Sequence, residues 1–502
     1  MKSNFNNAGK FKIMSCQICS IKPVYLLLAL LVLSGFTHLW NAVGFPDVFF
    51  DEGVYMRRAM HVLQGLGPQE SFFHDHPFFG QIILASYLAL IGFPNSFHPS
   101  ANVDSIASLY LAPRIFMGIL AIVDTFLIYK IAENRYGTKV ALISSMLFAV
   151  MPITWLVRRI LLDSILVPFL LMSILIALNS KNSRHKNLMI LLSGVFMGIA
   201  IFTKIPVFAM MPLVAGLVYF YNGRSLKLVT LWVIPVILIP MLWPLQSVEA
   251  GQFNLWVGDV LSQTQRHSEG LSYMLYAFFD MDPLLFALGF VGISFCIFKR
   301  DYFILMWVVP FLFFLLAIEY NQYFYCIPLL PVICISASIL IVRILGYIKR
   351  EKLRKTLPYI LVLGIGAFGL VSTLMIITTN MTSSEFQTAA FVLRHVNESD
   401  NKTTILASPT YSWIFNDVFH RKNVFLDYSL VLWQKITTPK VLLVVDPHYM
   451  IDIGRGNLSE LNNDSKLITS FDGNVQKYNI ALYPYTNLKV NYEGSHIAIK
   501  EK

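Results

Sequence analysis

An acidic pair, Asp51-Glu52, stands just after the first long apolar run, and its loop continues to a second polar cluster, His74-Asp75-His76-Pro77. Carboxylates and imidazoles at the end of a membrane helix are costly and mark functional positions by default. Arg158, Arg159 and Lys204 stand at the ends of later apolar runs. Acids on one loop with cations on neighbouring helix ends are the parts needed for group transfer from a phosphate leaving group to an alcohol. The acid serves as a base beside the nucleophile, and the cations offset charge on the departing oxyanion.

The elements that must position these residues are membrane helices. The 502-residue chain is 56% hydrophobic and only 14% charged, with 39 Phe and a mean hydropathy of +0.60, which excludes an ordinary soluble core. Its net charge of +10 lies in short loops between apolar runs, so it reads as membrane topology and not as a nucleic-acid surface. Cys16, Cys19, Cys296, Cys326 and Cys334 lie in the N-terminal tail or inside apolar runs; neither a disulfide framework nor a Cys-x-x-Cys metal site is expected. The first run, residues 23–41, ends without a small-residue cleavage site and reads as a retained anchor.

Lys2, Lys10, Lys12 and Lys22 precede that run, which puts the N-terminus in the cytoplasm and the Asp51 loop outside. Residues 80–94 are short for a crossing, and a crossing there would invert every later basic loop, so this piece is laid on the outer face. About eleven crossings result, with the C-terminus outside. Asn-x-Ser/Thr sequons at Asn380, Asn397, Asn401, Asn457 and Asn463 all follow the last span and agree with that orientation. From residue 383 the composition turns globular, with helical spacing over 385–396 and short strands at 404–407, 441–445 and 480–483. The expected architecture is a cytoplasmic tail (1–21), an all-α polytopic membrane domain (22–379, first outer loop 43–105) and a small extracytoplasmic α/β domain (380–502).

On this topology the outer face receives Asp51, Glu52, His74, Asp75, His76, Arg158, Arg159, Asp163 and Lys204, with Glu249, Arg266, His267, Glu319 and Gln322. Arg159 and Asp163 are four apart, and a plain salt bridge at a helix end explains them as well as chemistry does. Lys204 lies between two apolar runs, where a snorkelling lysine is the bland alternative. Convergence of acids and cations on one rim favours chemistry. For a sugar donor, the transition state is oxocarbenium-like, and a carboxylate would also stabilise its positive charge.

The run Asp51-Glu52-x-x-Tyr55-x-x-x-Ala59, followed by His76-Pro77 at the start of an apolar helix, resembles the first outer loop of the GT-C membrane glycosyltransferases. The resemblance is to the dolichyl-phosphate-mannose protein mannosyltransferase and aminoarabinose transferase group. Ala112-Pro113-Arg114, Arg159-x-x-x-Asp163, Gly198-x-x-x-x-Thr203-Lys204 and Tyr323-x-x-x-x-Pro328-Leu329-Leu330-Pro331 follow in the order of that group's motifs. The resemblance implies a polyprenyl-phosphate-linked sugar as donor and a protein, lipid or glycan hydroxyl as acceptor. It also implies transfer on the outer face of the membrane, with Asp51 as catalytic carboxylate, Glu52 supporting it, and Arg158, Arg159 and Lys204 on the lipid phosphate. Tyr55, His76, Asp163 and Tyr323 are its further substrate-binding positions. His76-Pro77-Phe78-Phe79 departs from the group's His-Pro-Pro-Leu, and the β-trefoil insertion of eukaryotic protein mannosyltransferases is not found, which bears on the acceptor; the C-terminal outer domain looks more like that of prokaryotic members, which favours an archaeal or bacterial plasma membrane over an endoplasmic reticulum.

Three motifs compete for other roles. Gly364-x-Gly366-x-x-Gly369 matches a dinucleotide fingerprint, but it lies within an apolar span, where helix packing is expected. Asp280-x-Asp282 resembles a sugar-transferase metal pair, yet Asp282-Pro283 also makes a helix start. His74-x-His76 has no obvious third ligand. A metal-free reaction is expected, with a divalent ion as the alternative. Among functions, a sugar transferase using a single inverting displacement leads; a GT-C enzyme extending a glycolipid and a lipid-linked sugar flippase are the rivals.

Overall fold

A computed structural model describes residues 22–70, 73–266, 270–318, 320–432, 434–446, 459–473 and 496–502. The N-terminal tail with Cys16 and Cys19, His267, Glu319, Asn457 and the strand expected at 480–483 lie outside the described residues.

Helix α1 (Pro23–Leu39) starts with proline in its first turn, where the missing N–H has no helical partner to lose. The following loop folds into α2 (Phe50–Leu63) and α3 (Phe79–Leu90). The long α4 (Val103–Tyr136) leads to α5 (Thr138–Val150), a 3-10 turn over Pro152–Arg158, α6 (Leu162–Asn179) and α7 (Lys186–Thr203). Next come α8 (Met211–Tyr221), α9 (Leu226–Leu238), α10 (Leu242–Glu249), and two short amphipathic helices, α11 (Phe253–Thr264) and α12 (Leu271–Met281). Helices α13 (Pro283–Phe298), α14 (Tyr302–Ala317), α15 (Leu330–Gly346) and α16 (Glu351–Ile377) complete the apolar bundle.

The expected count of eleven crossings is not reproduced. Among the described residues six helices are long and apolar enough to cross a membrane, or up to eight if each of two bent pairs is one span. The α5 pair bends by 70° and the α13–α14 pair by 118°, while Pro23–Leu39, Phe79–Leu90 and Ile205–Tyr221 are shorter apolar helices. Proline is the physical reason for part of the difference. Pro152, Pro206 and Pro328 fall in apolar runs that the sequence pattern counts as continuous, and the chain there adopts 3-10 turns because proline cannot donate the helical hydrogen bond. Helix α3, of 12 residues, reaches about 18 Å, too short to cross.

Side-chain hydroxyls lock helix pairs inside the bundle. Ser173 Oγ donates to the Ser193 carbonyl at 2.8 Å and Ser193 Oγ returns a bond to the Ser173 carbonyl at 2.9 Å, joining α6 to α7 as small polar residues do in apolar surroundings. The Gly364 motif is packing, as expected: a Cβ on Gly366 or Gly369 would press on Met146 or Met151 of the α5 segment.

Beyond the bundle, α17 (Ser383–His395) follows the helical spacing read at 385–396. Strands β1 (Thr403–Leu406), β2 (Val424–Phe425), β3 (Lys440–Val445), β4 (Lys466–Phe471) and β5 (Ile497–Glu501) form one sheet of order β2-β1-β3-β5-β4. β1 is parallel to both β2 and β3, and β5 is antiparallel to β3 and β4. A short helix, α18 (Pro409–Trp413), leaves the end of β1.

Candidate active site

Glu52 begins as a helix-capping residue. At the third position of α2 its Oε1 accepts the Phe49 N–H at 3.0 Å, half of a capping box that explains why the helix starts there. The same carboxylate then accepts Arg114 Nε at 3.0 Å and Nη2 at 2.8 Å, Arg159 Nη1 at 3.3 Å and the Ile160 N–H at 3.2 Å. Arg114, on α4, also donates to the carbonyls of Ala42, Pro46 and Asp47 at 3.1, 2.7 and 2.9 Å. Arg159 reaches Asp47 Oδ1 at 2.5 Å. All three charged side chains, Glu52, Arg114 and Arg159, are buried. Such a network survives because every charge is paired and hydrogen-bonded.

Asp51 faces a different environment. It is partly exposed, and among the described residues its carboxylate accepts no hydrogen bond. Loss of solvation, reinforced by the nearby Asp75 and Asp163 carboxylates, pushes its pKa up to about 7 against the pull of Lys204 and Arg266. Of the charges acting on it, Lys204 acts most strongly.

Lys204 ends α7 and is buried. Its Nζ bonds Asp163 Oδ2 at 2.5 Å and lies 5.1 and 4.9 Å from the ring centres of Phe324 and Tyr325. The pairing inferred from sequence spacing does not form: Arg159 sits before α6 and joins Asp47 and Glu52, leaving Asp163 to Lys204. Lys204 is therefore held by a carboxylate and two aromatic faces.

The 74–76 cluster closes the site beside α2. Arg58 Nη1 contacts Asp75 Oδ1 at 2.7 Å and Nη2 reaches Glu70 Oε2 at 3.3 Å. Burial opposes ionisation of Asp75, but Arg58 outweighs it and holds the carboxyl well below its usual range. His76 Nε2 lies 3.8 Å from Asp75 Oδ2; desolvation outweighs that neighbour and drives its pKa down to about 4, so its imidazole is neutral at pH 7. Burial, together with Asp51, Asp75 and Asp163, raises the Tyr55 phenol above its normal range. From the far side, His74 Nε2 donates to Gln252 Oε1 at 3.0 Å, and its backbone N–H donates to Asp259 Oδ2 at 2.6 Å, tying α11 over the loop. Arg266, just past α11, lies 5.5 Å from the Tyr320 ring centre.

Two expected residues take other places. Arg158 turns toward the end of α1, donating to the Trp40 carbonyl and stacking over Phe45 at 5.5 Å. Tyr323 packs edge-on against Phe49 at 6.2 Å, behind the start of α2. Asp282 caps α13 by accepting the Leu285 N–H at 2.8 Å, the helix-start role. Among the described residues, no three His, Cys, Asp or Glu side chains gather as a metal-binding group. The sequence pattern did not assign a role to Arg114, Arg58 or Asp47. An arginine within the apolar stretch of a 34-residue helix was a usable signal for Arg114; Arg58 and Asp47 have no comparable mark.

The model of the dolichyl-phosphate-mannose-protein mannosyltransferase family matches residues 28–247, which contain α2, Arg114, Asp163 and Lys204. ArnT from Cupriavidus metallidurans, solved bound to undecaprenyl phosphate, superposes with TM-score 0.59 at 13% identity, over 95% of this chain and 97% of that one. The chain is thus similar in fold to ArnT, and its residues 28–247 are similar in sequence to the mannosyltransferase family. Another structure of this fold is the archaeal oligosaccharyltransferase AglB from Archaeoglobus fulgidus, in complex with an inhibitory peptide and a dolichol-phosphate. It gives TM-score 0.52 at 10% identity, over 91% of this chain and 74% of its own. No curated protein sequence matches. With six to eight candidate membrane spans among the described residues, the chain reads as an integral membrane protein, and the Asp51–Lys204 region is its candidate centre.

Proposed function

We propose that this chain moves a sugar from a polyprenyl phosphate to a hydroxyl acceptor on the extracytoplasmic side of the membrane, with Asp51 as general base. The observation that carries the reading is the state of Asp51: a carboxylate without a hydrogen-bond partner among the described residues, its pKa at about 7, facing Lys204. A base with a pKa near the working pH balances availability against proton affinity.

In the proposed reaction the acceptor oxygen attacks the anomeric carbon and its proton passes to Asp51. The bond from that carbon to the phosphate oxygen breaks, leaving polyprenyl phosphate with the electron pair. One displacement inverts the anomeric centre. Lys204 and Arg266 offset the charge gathering on phosphate, Asp163 fixes Lys204, and Tyr55 and neutral His76 line the sugar side. Arg159 and Glu52 hold α2 in place rather than touching substrate, and Arg158 has no part in phosphate binding. The basic loops and the sequons after α16 support a cytoplasmic N-terminus and an outside C-terminus, and a prokaryotic plasma membrane is the proposed location.

The test uses membranes containing the full chain, a radiolabelled polyprenyl-phosphate sugar and a mixed acceptor extract, beside an Asp51→Asn variant. Label is expected to reach acceptor only with the wild type. Equal label in both would reject Asp51 as base, and donor crossing the bilayer without a new glycoside would replace the transferase by a flippase.

A further inference from the structure

We propose that the C-terminal sheet seats the reactive helix α2 at its strand-end crevice, so that this contact sets where Asp51 stands. The proposal rests on Asp51 being the base.

β1 continues to β2 on one side, while β3 and β5 build the sheet on the other. The chain therefore diverges between β1 and β3, two parallel strands. In open α/β sheets the carboxyl ends of strands at such a divergence leave a crevice that receives a ligand. Here α2 occupies that end. The Pro409 carbonyl, three residues past β1, lies so close to Gly53 that a Cβ built there would stand 2.0 Å from the oxygen and 2.7 Å from the Thr410 nitrogen. Arg57 Nη1 donates to the Leu426 carbonyl, just past β2, at 3.1 Å, and Ser412 Oγ donates to the same carbonyl at 2.9 Å. Gln64 Nε2 reaches the Asp417 carbonyl at 3.3 Å. Phe50 packs onto the small cluster of Leu406, Tyr428 and Leu443 at the foot of the sheet.

These contacts lie along one helix, and Asp51 stands between Phe50 and Gly53. A helix moves as a rigid body over one turn, so the seat that fixes Phe50 and Gly53 fixes Asp51. Only glycine fits at 53, because the atoms opposite are backbone and cannot rotate away. Relieving a 2.0 Å contact to the 3.0 Å that real Cβ atoms keep requires an opening of about 1 Å, and misplacements of that size can cost a reaction about 100-fold.

The experiment compares Gly53→Ala with wild type and with Gly364→Ala, whose added Cβ would meet nothing. Amide hydrogen exchange is read across α2 and residues 408–413, and transfer kinetics are read against pH. Seating predicts faster exchange confined to those two segments, kcat lowered about 100-fold, KM for the donor within about 3-fold, and a displaced acidic limb, because the Asp51-to-Lys204 separation changes. Merely lowered stability would move neither the limb nor the KM-to-kcat balance. Unchanged exchange, or unchanged kcat and limb in folded Gly53→Ala, overturns the proposal. Should Gly53→Ala fail to fold, Ser412→Ala is read instead: a fall in kcat at constant KM supports the seat, and wild-type kcat overturns it. Failure of the transferase reading is separate, since it appears as full activity in Asp51→Asn.

Discussion

Asp51 and Glu52 are adjacent on one helix, yet Glu52 accepts five hydrogen bonds while Asp51, among the described residues, accepts none. A single residue step along the helix thus divides the acidic pair into an anchored carboxylate and the proposed base. A carboxylate held by two arginines and two backbone N–H groups is committed to fixing the start of α2. Its neighbour accepts no such bond among the described residues, and its pKa is pushed up to about 7.

Neutralising each acid is therefore expected to give opposite signatures. Asp51→Asn should lower transfer by about 10²–10⁴-fold, the usual worth of a general base, with the unfolding temperature unchanged. Glu52→Gln strands two buried guanidinium groups and should destabilise by about 3–5 kcal/mol. Thermal unfolding in detergent beside single-turnover transfer separates the two, and a stable, inactive Glu52→Gln would refute the anchor role.

Acidity offers a second check. Asp51 must be ionised to act, so kcat/KM should rise with pH through about 7 and level off above it. Lys204 lowers the Asp51 pKa and Asp75 raises it. Lys204→Met should accordingly move the acidic limb to higher pH and Asp75→Asn to lower pH. Limbs moving together, or not at all, would assign the titration to another group.

Arg114 offers a test of geometry against charge. Its fork serves Glu52 and four carbonyls at once, which a lysine cannot reproduce with one ammonium. Arg114→Lys should lower the unfolding temperature markedly and reduce expression, although the charge is kept. Wild-type melting would show the fork to be dispensable.

What could be read from the residues alone follows from how far each signal reaches. Apolar runs and the order of motifs revealed a helical bundle and put Asp51, Asp163 and Lys204 at one place, because each sits at a segment end. The division of labour was hidden, since nothing in Asp51-Glu52 says which acid meets Arg114, 62 positions away. Likewise the four-residue spacing of Arg159 and Asp163 implies a pair only if both lie on one helix, and Arg159 lies before α6 begins. The count of eleven spans and the six to eight candidates among the described residues part company where prolines turn apolar runs into 3-10 segments. The seat on the C-terminal sheet was illegible for the same reason as the Glu52 network: it joins Gly53 to Pro409.

Arg266 separates donor binding from chemistry. Lys204 and Arg159 each face a carboxylate, whereas Arg266 is engaged by Tyr320, through its ring and its hydroxyl. Among the described residues no carboxylate pairs with it. It stands just past the end of α11, a helix without buried residues, where a lipid phosphate can approach. Arg266→Ala should raise the donor KM by about 10-fold, the worth of one charge-assisted hydrogen bond, and leave kcat within about 3-fold. Lys204→Met, closer to Asp51, should lower kcat as well. Measuring initial rates against donor concentration distinguishes them: an Arg266→Ala enzyme with unchanged KM would remove this arginine from the phosphate site and leave Lys204 alone there.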